Sequence, residues 1–196
     1  MLKYFGIFCS CFMMTTLLSA QAYPSAERGP IAVLAGVEIS TFNPDYGCTN
    51  SSPFSCFDHQ LIGITPFVDA NHLLFTRIGA EGEARFLPWR GPGNGLTEST
   101  YLGGPRIDLL HWRKVTLRAK VLAGDAHFTA PSRGVGTGNY FAWAPGVDAD
   151  LRVTRKITAR VDYEYQMWPK FTGGLGGSGG LTPSGFSVGA SYAVWH

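Results

Sequence analysis

The chain has 196 residues and a formal net charge of +2 at pH 7, with 15% charged residues, 13% aromatics and 25 glycines. A near-neutral balance offers little to a nucleic-acid backbone, and low charge with many glycines and aromatics disfavours a disordered or helical chain. No apolar run reaches the ~18 residues that a spanning helix needs, and the length suits one domain.

The N-terminus reads as a signal peptide over residues 1–22. Lys3 precedes an apolar run from Tyr4 to Leu18, and Ala20-Gln21-Ala22 supplies a small-x-small cleavage site before Tyr23. Cys9 and Cys11 come too early for a lipoprotein. Residues 23–196 then form the single domain, and only Cys48 and Cys56 remain. Both sit in one short Ser/Pro/Asn-rich segment, so a local disulfide in an oxidising compartment is expected. Metal ligands do not flank them, and no metal or cofactor is expected.

Eight strands follow in order: Ile31 to Phe42, Leu61 to Asp69, Leu74 to Leu87, Thr100 to Leu110, Val115 to Phe128, Tyr140 to Arg152, Ile157 to Trp168 and Gly185 to Trp195. Most have the ~9–11 residues a tilted strand needs to cross a bilayer, or slightly more. Short polar connections (Asp69 to His72, His111 to Lys114, Val153 to Lys156) alternate with longer Gly/Pro-rich ones (Asn43 to Gln60, Pro88 to Ser99, Thr129 to Asn139, Pro169 to Ser184). Such alternation marks an all-β, eight-stranded antiparallel up-and-down transmembrane barrel, with short periplasmic turns and longer outer loops. Gly173 to Gly180 is low-complexity and lacks the strand-to-helix context of a phosphate loop.

The strands alternate with period two. Between Ile157 and Met167, Ile, Ala, Val, Tyr, Tyr and Met share one face, and Thr, Arg, Asp, Glu and Gln the other. Placing a mid-membrane Arg or Lys against lipid costs about 2–4 kcal/mol, so a one-residue slip is prohibitive and the charges face inward. The expected lumenal acids are Glu38, Glu81, Glu83, Asp108, Asp148, Asp150, Asp162 and Glu164. The bases are Arg77, Arg85, Arg106, Arg118, Lys120, Arg152 and Arg160. The two sets nearly cancel and predict a salt-bridged plug without a continuous pore. Trp89, Tyr101, Trp112, Tyr140, Trp143, Tyr163, Tyr165, Trp168, Tyr192 and Trp195 are expected in interfacial girdles. Pro66, Pro105 and Pro145 each remove a ladder donor, for which bulges are the expected accommodation.

Near the C-terminus, Ser187, Gly189, Tyr192 and Val194 stand at the spacing of the terminal-strand signal read by the barrel assembly machinery. With Arg160 to Gln166 and Leu181 to Gly185, this stretch resembles the small OmpA-like outer-membrane β-barrel domain proteins of Gram-negative-type bacteria. The resemblance covers the chain after the signal peptide. One departure is that the family ends on an aromatic, whereas here Trp195 stands one place before His196. The resemblance implies residence in the outer membrane, contact with its lipid, and insertion by the assembly machinery.

The expected function is that of a non-enzymatic outer-membrane barrel with a charge-plugged interior and an envelope-structural or surface-interaction role, its loop partner unassigned. One alternative is a lipid-modifying hydrolase, built from His111 or His127 with Ser99, Ser132 or Ser184 and with Asp125 beside His127. In that reading strand alternation ties no serine to His127. Further alternatives are a small-solute pore and a soluble ligand-holding barrel, although ionic inward faces suit an apolar cavity poorly.

Overall fold

The computed structural model describes residues 31–44, 60–74, 77–88, 97–129, 137–171 and 180–195. The expected signal peptide, the expected Cys48–Cys56 disulfide, Trp89 and Ser132 lie outside these residues. Eight strands follow in sequence: β1 (Ala32–Asn43), β2 (Leu61–Leu74), β3 (Ile78–Pro88), β4 (Thr97–Trp112), β5 (Val115–Thr129), β6 (Gly138–Arg152), β7 (Ile157–Tyr165) and β8 (Ser184–Trp195). Each pairs antiparallel with its sequence neighbours, and β8 closes on β1.

The stagger sets the bore. Following paired residues once around, Ala32 leads to Asn71, thence (one step past the Ala70–Ala80 pair) to Gly79, Arg106, Lys120, Gly146, Glu164 and Gly185. The circuit returns to β1 at Phe42, ten residues from its start. Eight strands sheared by that amount tilt steeply and enclose a space that side chains fill.

Several strand limits differ from expectation. β2 runs on to Leu74 with a bulge between Ala70 and Leu74, so Asp69 lies inside a strand and not in a turn. β4 begins at Thr97, which brings Glu98 into the wall. β7 ends at Tyr165, and Met167 and Trp168 form isolated bridges to Trp143 and Leu181.

The prolines do not sit at the bulges, which fall between Val33 and Leu34, Ala70 and Leu74, and Asp108 and Leu110. Pro66, Pro105 and Pro145 keep register against Val37, Ala80 and Val121 respectively. On its other side each proline lacks a partner among the described residues; the ladder resumes beyond Pro66 and Pro105, and beyond Pro145 only the isolated Trp143–Met167 bridge follows. A strand residue directs its N–H toward one neighbour only, so a missing donor interrupts one ladder and leaves the other whole.

The outward face is apolar along every strand. Val37, Ile39, Ile64, Val68, Ile107, Val121, Val147, Val161 and Val188 are all exposed. Covering one such side chain is worth about 1.5–3 kcal/mol. A belt of them around a closed wall is untenable in water and matches hydrocarbon. Glycines let the wall close tightly. A Cβ on Gly189 of β8 would lie 2.1 Å from the Val37 carbonyl oxygen and 2.7 Å from Glu38 Cγ.

Candidate functional site

The lumen is the chemically distinctive part of the molecule, and its inward rows divide it along the axis. On β5 the row reads Thr116, Arg118, Lys120, Leu122, Ala126, Phe128 from the short-turn end toward the long loops. On β6 it reads Asp150, Asp148, Ala144, Ala142 in the same direction. Ionic residues therefore fill the short-turn half and apolar ones the loop half.

Five bases organise the ionic half. Arg118 donates to Asp108 at 2.6 Å and also pairs with Asp150. Arg106 reaches Asp148 at 2.9 Å and Glu81 at 3.2 Å. Arg160 holds Asp150 at 2.7 Å and Glu81 at 3.3 Å, and binds Asp69 as well. Glu38 stands 3.9 Å from the Arg160 Nε. The Arg160 guanidinium carbon also lies 4.2 Å from the centre of the Phe67 ring, a cation–π contact inside the barrel. Phe67 has room because Gly36 faces it; a Cβ there would come within 2.4 Å of the ring.

Lys120 occupies the middle. Its Nζ lies 2.7 Å from Glu81, 2.7 Å from Asp162, 3.4 Å from Glu83 and 3.5 Å from Glu164. Carboxylate oxygens of Glu83, Asp162 and Glu164 cluster within 4.8 Å of one another, an arrangement that could hold a metal ion. The ammonium already serves that acidic group. Above it, Arg85 donates to Glu164 at 2.7 and 3.3 Å and to Thr65 at 3.2 Å, pairs with Glu83 at 2.8 Å, and stacks over Phe42 at 4.1 Å. Ser40 links Thr65 and Ser187 through hydroxyl contacts of 2.6 and 2.7 Å.

The apolar half packs Phe42, Leu61, Leu87, Leu122, Phe128, Trp168, Phe171 and Leu181 into one buried cluster. Trp168 and Tyr140 were expected in an interfacial girdle. Trp168 is wholly buried in this plug, and Tyr140 stacks on it at 6.2 Å. The cause is that both continue inward-facing rows past the level of the membrane belt. By contrast Tyr101, Trp112, Trp143, Tyr163, Tyr165, Tyr192 and Trp195 point outward and are exposed. The inward row leading from β7 ties the two halves together. Trp168 Nε1 donates to Gln166 at 2.9 Å, and Gln166 donates to Glu164 at 2.8 Å, which in turn meets Arg85.

Two expected members of the ionic network are not in it. Arg77 and Arg152 are exposed at the short-turn end, since both stand where the wall ends and their long side chains reach water. Asp69 and Glu98, which belonged to no expected inward set, are buried inside instead. Near-cancellation is therefore overturned. Among the described residues the lumen holds Glu38, Asp69, Glu81, Glu83, Glu98, Asp108, Asp148, Asp150, Asp162 and Glu164, ten acids, against Arg85, Arg106, Arg118, Lys120 and Arg160, five bases. Glu98 is the outlier. Its partners across the ladders are Leu87 and Phe128, and neither carboxylate oxygen finds a hydrogen bond among the described residues.

The terminal-strand positions divide by parity. Ser187 points inward onto Ser40, Gly189 packs against β1, and Tyr192 and Val194 face outward. On the outer wall at the loop end, Asn139 and Thr129 hold the two ring nitrogens of His127, Nδ1 at 2.6 Å and Nε2 at 3.2 Å. The β4–β5 register also sets Ser99 directly across from His127, a juxtaposition that strand alternation alone had not revealed. His111 is remote from it, beside Thr116 at 2.9 Å.

A closed eight-stranded antiparallel up-and-down barrel with an apolar outer belt and a buried charged cluster is the fold of small outer-membrane β-barrels. Solved structures share this fold. Neisserial surface protein A matches at 11% identity over 83% of this chain and 96% of that one, with a TM-score of 0.57. The outer membrane protein OprG from Pseudomonas aeruginosa matches at 9% identity over 86% and 98%, with a TM-score of 0.54. The outer membrane protein AlkL, solved in lipid bilayers, matches at 15% identity over 89% and 96%, with a TM-score of 0.50. No family model matches the sequence, and comparison with curated proteins finds no match.

Proposed function

We propose that this chain is a non-enzymatic outer-membrane protein whose plugged barrel is a rigid platform for its long loops, serving envelope integrity or surface contact. The observation that carries this reading is the doubly filled lumen, ion pairs in one half and the Trp168–Phe128–Leu181 cluster in the other. In this reading the short connections face the periplasm, membrane lipid covers the belt, and the assembly machinery inserts the chain through β8. In a planar bilayer the purified barrel gives no steady conductance. A large, stable single-channel current would overturn the proposal.

One observation favours a second reading, lipid hydrolysis at the outer rim. Thr129, His127 and Asn139 stand in the order hydroxyl, imidazole, amide that a nucleophile, base and orienting group require. Fatty acid released from envelope lipids by the purified chain, and lost in both His127→Ala and Thr129→Val, would establish it. No release from the intact barrel would dismiss it.

A further inference from the structure

The net charge of +2 conceals a separation along the barrel axis. Among the described residues, five bases are buried in the lumen among ten carboxylates. Six others, Arg77, Arg113, Lys114, Arg152, Arg155 and Lys156, stand exposed around the short-turn end. Every lumenal base has at least two carboxylates within 4.0 Å, whereas among the described residues none of the six has one. A solvated protein surface normally intersperses both signs. Among its described exposed residues, this end carries one.

The collar adjoins the lipid-facing belt. Trp112 is 65% exposed and Trp195 is 69% exposed, among the most exposed large side chains described. The Arg113 guanidinium carbon lies 5.6 Å from the Trp112 ring, and Lys156 Nζ lies 5.7 Å from the Tyr192 ring. Outward tryptophan and tyrosine settle at headgroup depth. Cations laid over them are held at the level of lipid phosphates, not out in bulk water. The closed wall also fixes the three short connections in one ring, so their charges act on the same leaflet. We infer that this collar binds anionic phospholipid headgroups, its guanidinium and ammonium groups donating to phosphodiester oxygens at the short-turn face. The inference rests on the embedded-barrel reading above, and adds to it a lipid class and the residues that select it.

The test reconstitutes the full barrel into phosphatidylcholine vesicles containing either brominated phosphatidylglycerol or brominated phosphatidylcholine. Tryptophan quenching then reports which lipid lies against the wall. The expected preference for phosphatidylglycerol is roughly fivefold, falling toward one in about 0.5 M salt. Replacing all six bases with glutamine abolishes the preference, whereas replacing the four arginines with lysine retains it. Soluble glycerol phosphate at constant ionic strength leaves it unchanged; displacement would indicate a free phosphoester site and overturn the lipid assignment. Equal quenching by the two lipids, or a preference that survives the glutamine variant, overturns it too. A heat-modifiability gel on the same samples separates the two levels of failure. A folded, shifted band with no preference removes the collar alone, and absence of the shift removes the embedded barrel and the collar with it.

Discussion

Lys120→Met tests the lumenal network most directly. The ammonium is buried and contacts four carboxylates, but these do not depend on it equally. Glu81 also meets Arg106 and Arg160, and Glu83 and Glu164 also meet Arg85. Asp162 pairs with Lys120 alone among the described residues. Removing the ammonium thus strands one buried carboxylate outright and raises the lumenal excess from ten acids over five bases to ten over four. Breaking a buried pair in this way costs about 3–5 kcal/mol, against about 0.2–1 kcal/mol for an exposed pair. The double variant Lys120→Met/Asp162→Asn restores an excess of five and recovers part of the loss, although two charged groups have gone. The assay is urea unfolding of the reconstituted barrel, followed by tryptophan fluorescence and by the heat-modifiability shift. A loss below about 1 kcal/mol in the single variant, or a double variant no more stable than it, would refute the reasoning.

Glu98→Gln raises the urea midpoint by the equivalent of about 1–3 kcal/mol, because the carboxylate lies among Leu87 and Phe128 without a hydrogen bond; a lowered midpoint counts against an unpaired acid there. Trp168→Ala costs about 3–5 kcal/mol in the same assay, since the ring fills the apolar plug and its Nε1 bonds Gln166; an unchanged midpoint would mean the plug is not packed. Val161→Arg, on the outward face of β7, costs about 2–4 kcal/mol in vesicles. If Val161→Arg costs nothing there, hydrocarbon does not cover that face.

Much of the fold was legible because a strand's side chains alternate strictly. Once Arg160, Asp162 and Glu164 share a face with neither lipid nor water to meet, every other row takes its orientation from the same argument. Loop lengths added strand number and hairpin order. The lumenal set was legible only along strand interiors. Arg77 and Arg152 keep the inward alternation but miss the lumen, because the wall ends beside them. Asp69 was read as the strand end that opens a turn and Glu98 as loop, and the strands run through them. No local signal marks those ends, since strand length here depends on what the neighbouring strand offers to pair with.

The chain on its own determined the fold class, the sidedness of each strand and the presence of inward charge. These depend on near-neighbour periodicity and on the cost of exposing a charge to hydrocarbon. Only closure decided which acid meets which base. Arg85 and Glu164 are 79 residues apart in sequence, as are Arg160 and Glu81, and the ten-residue stagger is what brings them together. The same closure separated an ionic half from an apolar one, left the acids in excess, and gathered three distant turns into one basic ring. Such features belong to positions around and along a cylinder, coordinates that a linear pattern does not contain.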